Sequence, residues 1–166
     1  METEVGEIRN RVRAITTDTN VAKISLLQVV DQPGIAAKLF EPLSDANVSV
    51  DVIVQNASVG GSTDLTFTVE HTDLDGALQI IGPVAKKMAP GGIKSADDLG
   101  KVSIVGTGMQ DAPGYASKMF RSLAEAEINI DMITTSEIRI TCVIDRNRLE
   151  DAARVLHDAF ELEQPN

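Results

Sequence analysis

Two short stretches of the chain carry groups that together can hold a small charged molecule. Asp31-Gln32-Pro33-Gly34 and Asp111-Ala112-Pro113-Gly114 each stand between a β-branched apolar run and a stretch with helical spacing of apolar residues. Proline fixes φ, glycine permits a tight turn, and the helix that follows opens with backbone N–H groups that lack partners inside the helix. Those amides and the positive end of the helix dipole suit a carboxylate. Asp31 or Asp111 alongside suits an ammonium group, so each turn fits both charges of a free amino acid. The same spacing also serves a plain turn followed by an N-terminal helix cap, and spacing alone does not separate the two readings.

The elements around these turns are duplicated as well. Lys38, Phe40, Leu43, Ala46 and Asp51 after the first turn reappear as Lys118, Phe120, Leu123, Ala126 and Asp131 after the second. Around the first turn, residues 22–30 read as a buried strand, and apolar residues at 35, 36, 39, 40, 43 and 46 read as a helix that Pro42 should kink or shorten. Strands follow at 48–55 and 64–70, then a helix over 73–88 with Thr72 and Asp75 at capping-box spacing and a kink at Gly82-Pro83. Residues 93–96 supply a short last strand. This β-α-β-β-α-β order is the split arrangement of ferredoxin-like folds.

The second copy reads strand 101–106, turn, helix, strands 128–135 and 137–144, and a final helix that Asp145 can cap, with Leu149, Ala152, Ala153, Leu156 and Phe160 on one stripe. It then lacks a fourth strand, and the remaining candidate is residues 11–17. The sequence therefore predicts an α+β protein of two ferredoxin-like domains, 19–99 and 100–166, with a strand from 1–18 completing the second.

Other chemistries find little support. Val105-Gly106-Thr107-Gly108-Met109-Gln110 is neither a phosphate-binding loop nor a complete dinucleotide fingerprint, and Pro90-Gly91-Gly92 is as weak. His71 and His157 stand far apart without clustered ligands, so no metal or cofactor is expected. Cys142, the single cysteine, sits among Ile140, Val143 and Ile144 and reads as a buried structural thiol. The 166 residues are 43% hydrophobic and 24% charged, a globular composition, with a formal net charge of −10. That acidity argues against nucleic acid as a partner. No apolar run approaches a membrane span, and the opening residues lack a signal-peptide core, so a cytoplasmic location is expected.

The tandem Asp-x-Pro-Gly pattern, with Val52-Ile53-Val54-Gln55-Asn56 in the first copy and Thr135-Ser136-Glu137-Ile138-Arg139-Ile140 in the second, resembles a pair of ACT domains of the aspartate kinase regulatory region. The likeness runs from about Ile15 to Phe160 and excludes a catalytic kinase domain. It implies a non-catalytic regulatory subunit or region, acting on a catalytic aspartate kinase subunit or domain. It also implies a homodimer whose sheets pair between chains, with the end products threonine and lysine binding at the interface for feedback inhibition, threonine at the first site below and lysine at the second left open. One effector site would use Asp31, Gly34, Ile35, Ala36 and Gln55 with Asn129 and Ile130 of a second copy. The pseudo-symmetric site would use Asp111, Gly114, Tyr115, Ala116 and Thr135, facing Ser49 and Val50. Thr63, Asp64, Thr66, Ser136 and Glu137 match family positions near these sites that affect inhibition. Ser49, where the family often has Asn, and Tyr115, bulkier than Ile35, set the second site apart. An alternative is a free-standing tandem-ACT sensor controlling another enzyme or transcription.

Overall fold

A computed structural model of the protein describes residues 11–162. Its elements run β1 (Val12–Val30), α1 (Ile35–Asp45), β2 (Val50–Gln55), β3 (Ser62–Val69), α2 (Leu74–Met88), β4 (Gly92–Gly106), α3 (Tyr115–Glu125), β5 (Met132–Thr135), β6 (Arg139–Asp145) and α4 (Leu149–Ala159). The chain divides into two units, one of them Thr19–Gly100 and the other joining the stretch that ends at Asp18 to the stretch that starts at Lys101. β1 and β4 each run through both units.

In the Thr19–Gly100 unit the strands lie in the order β2-β3-β1-β4. Alternation builds its core: Ile24 and Leu26 on β1, and Leu65, Phe67 and Val69 on β3, face Leu39 and Leu43 of α1 and Ala77, Ile81 and Ala85 of α2. Phe40 meets Phe67 edge to face, with centroids 5.1 Å apart. The other unit has the order β1-β4-β6-β5 and repeats the plan. Val102 and Ile104 of β4 and Ile140, Cys142 and Ile144 of β6 pack with Met119 and Leu123 of α3 and Ala152 and Leu156 of α4. Val12, from the start of β1, is buried in this second core.

Several local expectations are corrected. Residues 12–17 and 22–30 belong to one strand, as do 93–96 and 101–106, because the polar residues between them continue the extended backbone. Neither α1 nor α2 ends at its proline: Pro42 and Pro83 lie within them. The Pro42 carbonyl accepts the Ala46 N–H at 3.2 Å, so the last turn of α1 closes normally. Thr72 and Asp75 form no capping box. A 3₁₀ turn at His71–Asp73 leads into α2, and Asp73 at its N-cap makes no side-chain capping bond. Asp145 does cap, but it caps the 3₁₀ turn Arg146–Arg148 before α4, accepting the Asn147 N–H at 2.8 Å. Among the described residues no helix is long and apolar enough to cross a membrane.

Candidate effector sites at the two Pro-Gly turns

Both turns have the same backbone. Gly34 (φ 85°) and Gly114 (φ 103°) occupy the N-cap positions of α1 and α3 in the left-handed region, where a side chain would be strained. Each offers its carbonyl to the first helical N–H, from Lys38 at 3.1 Å and from Lys118 at 2.9 Å. No side-chain oxygen caps either helix, so Asp31 and Asp111 are not N-caps. Both aspartates are exposed. In α1 the Ile35 N–H donates to the Gln32 carbonyl at 3.2 Å, and the other first-turn amides of each helix have no partner within it.

In the Thr19–Gly100 unit the sheet brings Asp31 and Gln55 to one end. β1 and β2 both run antiparallel to β3, with Val30 opposite Ser62 and Gln55 opposite Leu65, so their C-terminal ends point the same way. The Asp31 N–H donates to the Gly61 carbonyl at 3.0 Å, which ties the turn to the approach to β3. The Thr63 hydroxyl donates to the Asn56 carbonyl at 3.0 Å, fixing the exit from β2. Gly34, Ile35 and Ala36 follow at the same end. Asp64 and Thr66 act within the sheet. Asp64 stands alone opposite Leu27 and Gln28 at a bulge, and its Oδ1 accepts the Gln28 N–H at 2.9 Å. The Thr66 hydroxyl meets that of Ser25 at 3.0 Å.

The second turn opens on a cavity of about 460 Å³. Gly114, Tyr115, Ala116, Thr135, Ser136 and Glu137 line it, which gathers most of the residues expected for the second site. Asp111 is not among its lining residues. Met109, Gln110, Ala112, Pro113 and Ile140 also line it and were missed. A signal for the first two existed: Ser25 and Ser103 stand 78 residues apart whereas Asp31 and Asp111 stand 80 apart, so the second copy carries an insertion just before its turn. That insertion forms the 3₁₀ turn Met109–Asp111. On the other wall, Thr135 ends β5, and the Ser136 N–H donates to the Arg139 carbonyl at 2.8 Å to close the β5–β6 corner.

The residues expected from a second copy lie on connecting segments. Asn129 is exposed and Ile130 half-buried between α3 and β5, while Ser49 ends the segment after α1 and Val50 is the first residue of β2. Cys142 is fully buried, and burial pushes its thiol up to about 12, far from a nucleophile's range.

The ACT domain family model matches residues 24–82 and 102–160, one match per unit. An aspartate kinase of Stutzerimonas stutzeri is 45% identical over 154 residues, which are 93% of this chain and 37% of that protein. The chain thus spans little more than a third of that relative's length. Among solved structures, that of aspartokinase alpha and beta subunits shares 43% identity and a TM-score of 0.83 over 91% of this chain and 99% of the matched one. The ligand-free regulatory subunit of aspartate kinase from Thermus thermophilus shares 38% identity and a TM-score of 0.84, over 90% and 99% of the two chains. This chain belongs to the ACT-domain family, as an aspartate kinase regulatory region.

Proposed function

We propose that the chain is the amino-acid-sensing part of an aspartate kinase, binding threonine at the Asp31/Gln55 turn and a second end product, lysine, at the Tyr115 cavity. The observation that carries this reading is the doubled turn: a glycine-capped helix start with an exposed aspartate beside it. In the first site the α-carboxylate of the effector takes the free first-turn amides of α1 and its ammonium group takes Asp31; in the second, where Asp111 does not line the cavity, the first-turn amides of α3 take the carboxylate. Gln55 adds an amide for the side-chain hydroxyl of threonine. Glu137, on the wall of the second cavity, suits the second positive charge of lysine.

A second copy completes each site, with Asn129 and Ile130 closing over the first turn and Ser49 and Val50 over the second. β2 and β5 are the outermost strands of their units, and Ile53 and Ile133 on them are 53% and 45% exposed. A partner strand covers such edges. Effector clamped between copies favours the closed dimer, and that differential affinity is what shifts an attached catalytic part of the kinase. The test is isothermal titration of the chain with threonine, lysine and serine as control. Saturable threonine binding that Gln55→Ala weakens at least tenfold is expected. Binding of threonine that is indifferent to Gln55→Ala defeats the placement, and absence of heat with every amino acid defeats the sensor reading for this chain.

A further inference from the structure

Tyr115 belongs to two structures at once. Its ring lines the cavity at the second turn and stacks on Phe160, with centroids 6.4 Å apart and planes 12° from parallel. Its hydroxyl accepts the backbone N–H of Arg11 at 3.2 Å, a residue 104 positions away. Arg11 is held a second time, because its guanidinium donates to the Gly108 carbonyl. The backbone there is tightly packed: a Cβ on Gly106 would overlap the Arg11 carbonyl, and one on Gly108 would stand 2.9 Å from the Arg11 Nη1. Met109, adjacent to Gly108, lines the same cavity. The chain immediately before β1 is therefore fastened to Tyr115, which lines the cavity, and to Gly108, next to the lining residue Met109.

We propose that this Arg11–Tyr115–Gly108 clasp couples occupancy of the cavity to the hold on the chain where it enters β1. The proposal rests on the reading of the cavity as an effector site for a free amino acid. A ligand packed against Tyr115 meets a ring whose tilt the Arg11 bond has already set, so clasping preorganises the cavity. By reciprocity the bound ligand strengthens the clasp by the same factor that the clasp strengthens binding. The Tyr115 hydroxyl is thus a positioning group that acts through Arg11.

A double-mutant cycle on the full chain tests this, with L-lysine and L-threonine each titrated calorimetrically and the Arg11 amide followed by hydrogen exchange. Tyr115→Phe removes the hydroxyl alone, and Arg11→Pro, at a position before the strand where proline is tolerated, removes both the N–H that meets it and the guanidinium that meets Gly108. Tyr115→Phe is expected to weaken binding roughly fivefold, in line with the loss of one net hydrogen bond, Arg11→Pro at least as much, and the double change no further than Arg11→Pro alone. In the wild-type chain, ligand slows exchange of the Arg11 amide; in Tyr115→Phe that response disappears. Effects that multiply in the double variant, or an affinity untouched by Arg11→Pro, overturn the clasp and leave the effector reading standing. No binding of either amino acid to the wild-type chain overturns the effector reading and the coupling together.

Discussion

At the scale of single residues, the two copies share features that no sequence pattern announces. Asn47 (φ 60°) and Glu127 (φ 57°) end α1 and α3 in the left-handed region, and the next residues, Val48 and Ile128, donate back to the carbonyls of Leu43 and Leu123 at 2.9 Å. This is a Schellman closure, usually given to glycine. Glu127→Gly relieves the strained φ, and a gain of about 1 kcal/mol is expected in urea unfolding. The Arg148 guanidinium completes the same helix end, donating to the Ala126 carbonyl at 3.0 Å and the Glu127 carbonyl at 3.2 Å. Arg148→Ala should lower stability by about 1 kcal/mol in the same assay. Cys142 gives a pH prediction. Its folded value of about 12 lies above its ordinary 9.0, so the neutral thiol is fully accommodated below pH 9 and its stabilising effect is lost as pH rises toward 12. At pH 8 iodoacetamide should label Cys142 only after denaturant is added, and labelling of the native chain at the rate of the unfolded one would show that the thiol is not sealed.

At the scale of elements, helix faces were legible from spacing because a helix writes its buried side every three or four residues. Leu39, Leu43, Met119 and Leu123 are buried where that spacing put them. Strand extents were less legible: β1 passes through Asp18, Thr19 and Asn20, where apolar alternation lapses although the strand does not. The strands also carry a hydroxyl pair in each unit, Ser25 with Thr66 at 3.0 Å and Ser103 with Thr141 at 2.6 Å. The second pair is buried, so Ser103→Ala leaves the Thr141 hydroxyl without a partner and should cost about 1–3 kcal/mol. The double change Ser103→Ala with Thr141→Val should recover much of that loss. Ser25→Ala, at a half-buried pair, should cost less. Equal losses at the two positions in thermal unfolding would mean that burial does not set the difference.

At the scale of the whole molecule, the second unit takes a strand from the other end of the chain. Val12 is 1% exposed within a core otherwise built from residues after Lys101. Removing residues 1–18 should therefore unfold the second unit while leaving Thr19–Gly100 folded, seen as loss of one calorimetric transition's enthalpy and of amide protection confined to residues after 101. Protection retained in both units would show that the second core closes without β1. The duplication, the two turns and the ferredoxin-like order were determined by the sequence itself. They rest on local facts, namely apolar period, the fixed φ of proline, the freedom of glycine and the repetition of both. Only the tertiary structure decided that Asp64 is engaged at a bulge, that an insertion before the second turn builds a cavity wall, and that the Tyr115 hydroxyl meets Arg11. Each of these depends on a partner brought near by folding and not by spacing, and one sequence records the identities of such partners without recording their proximity.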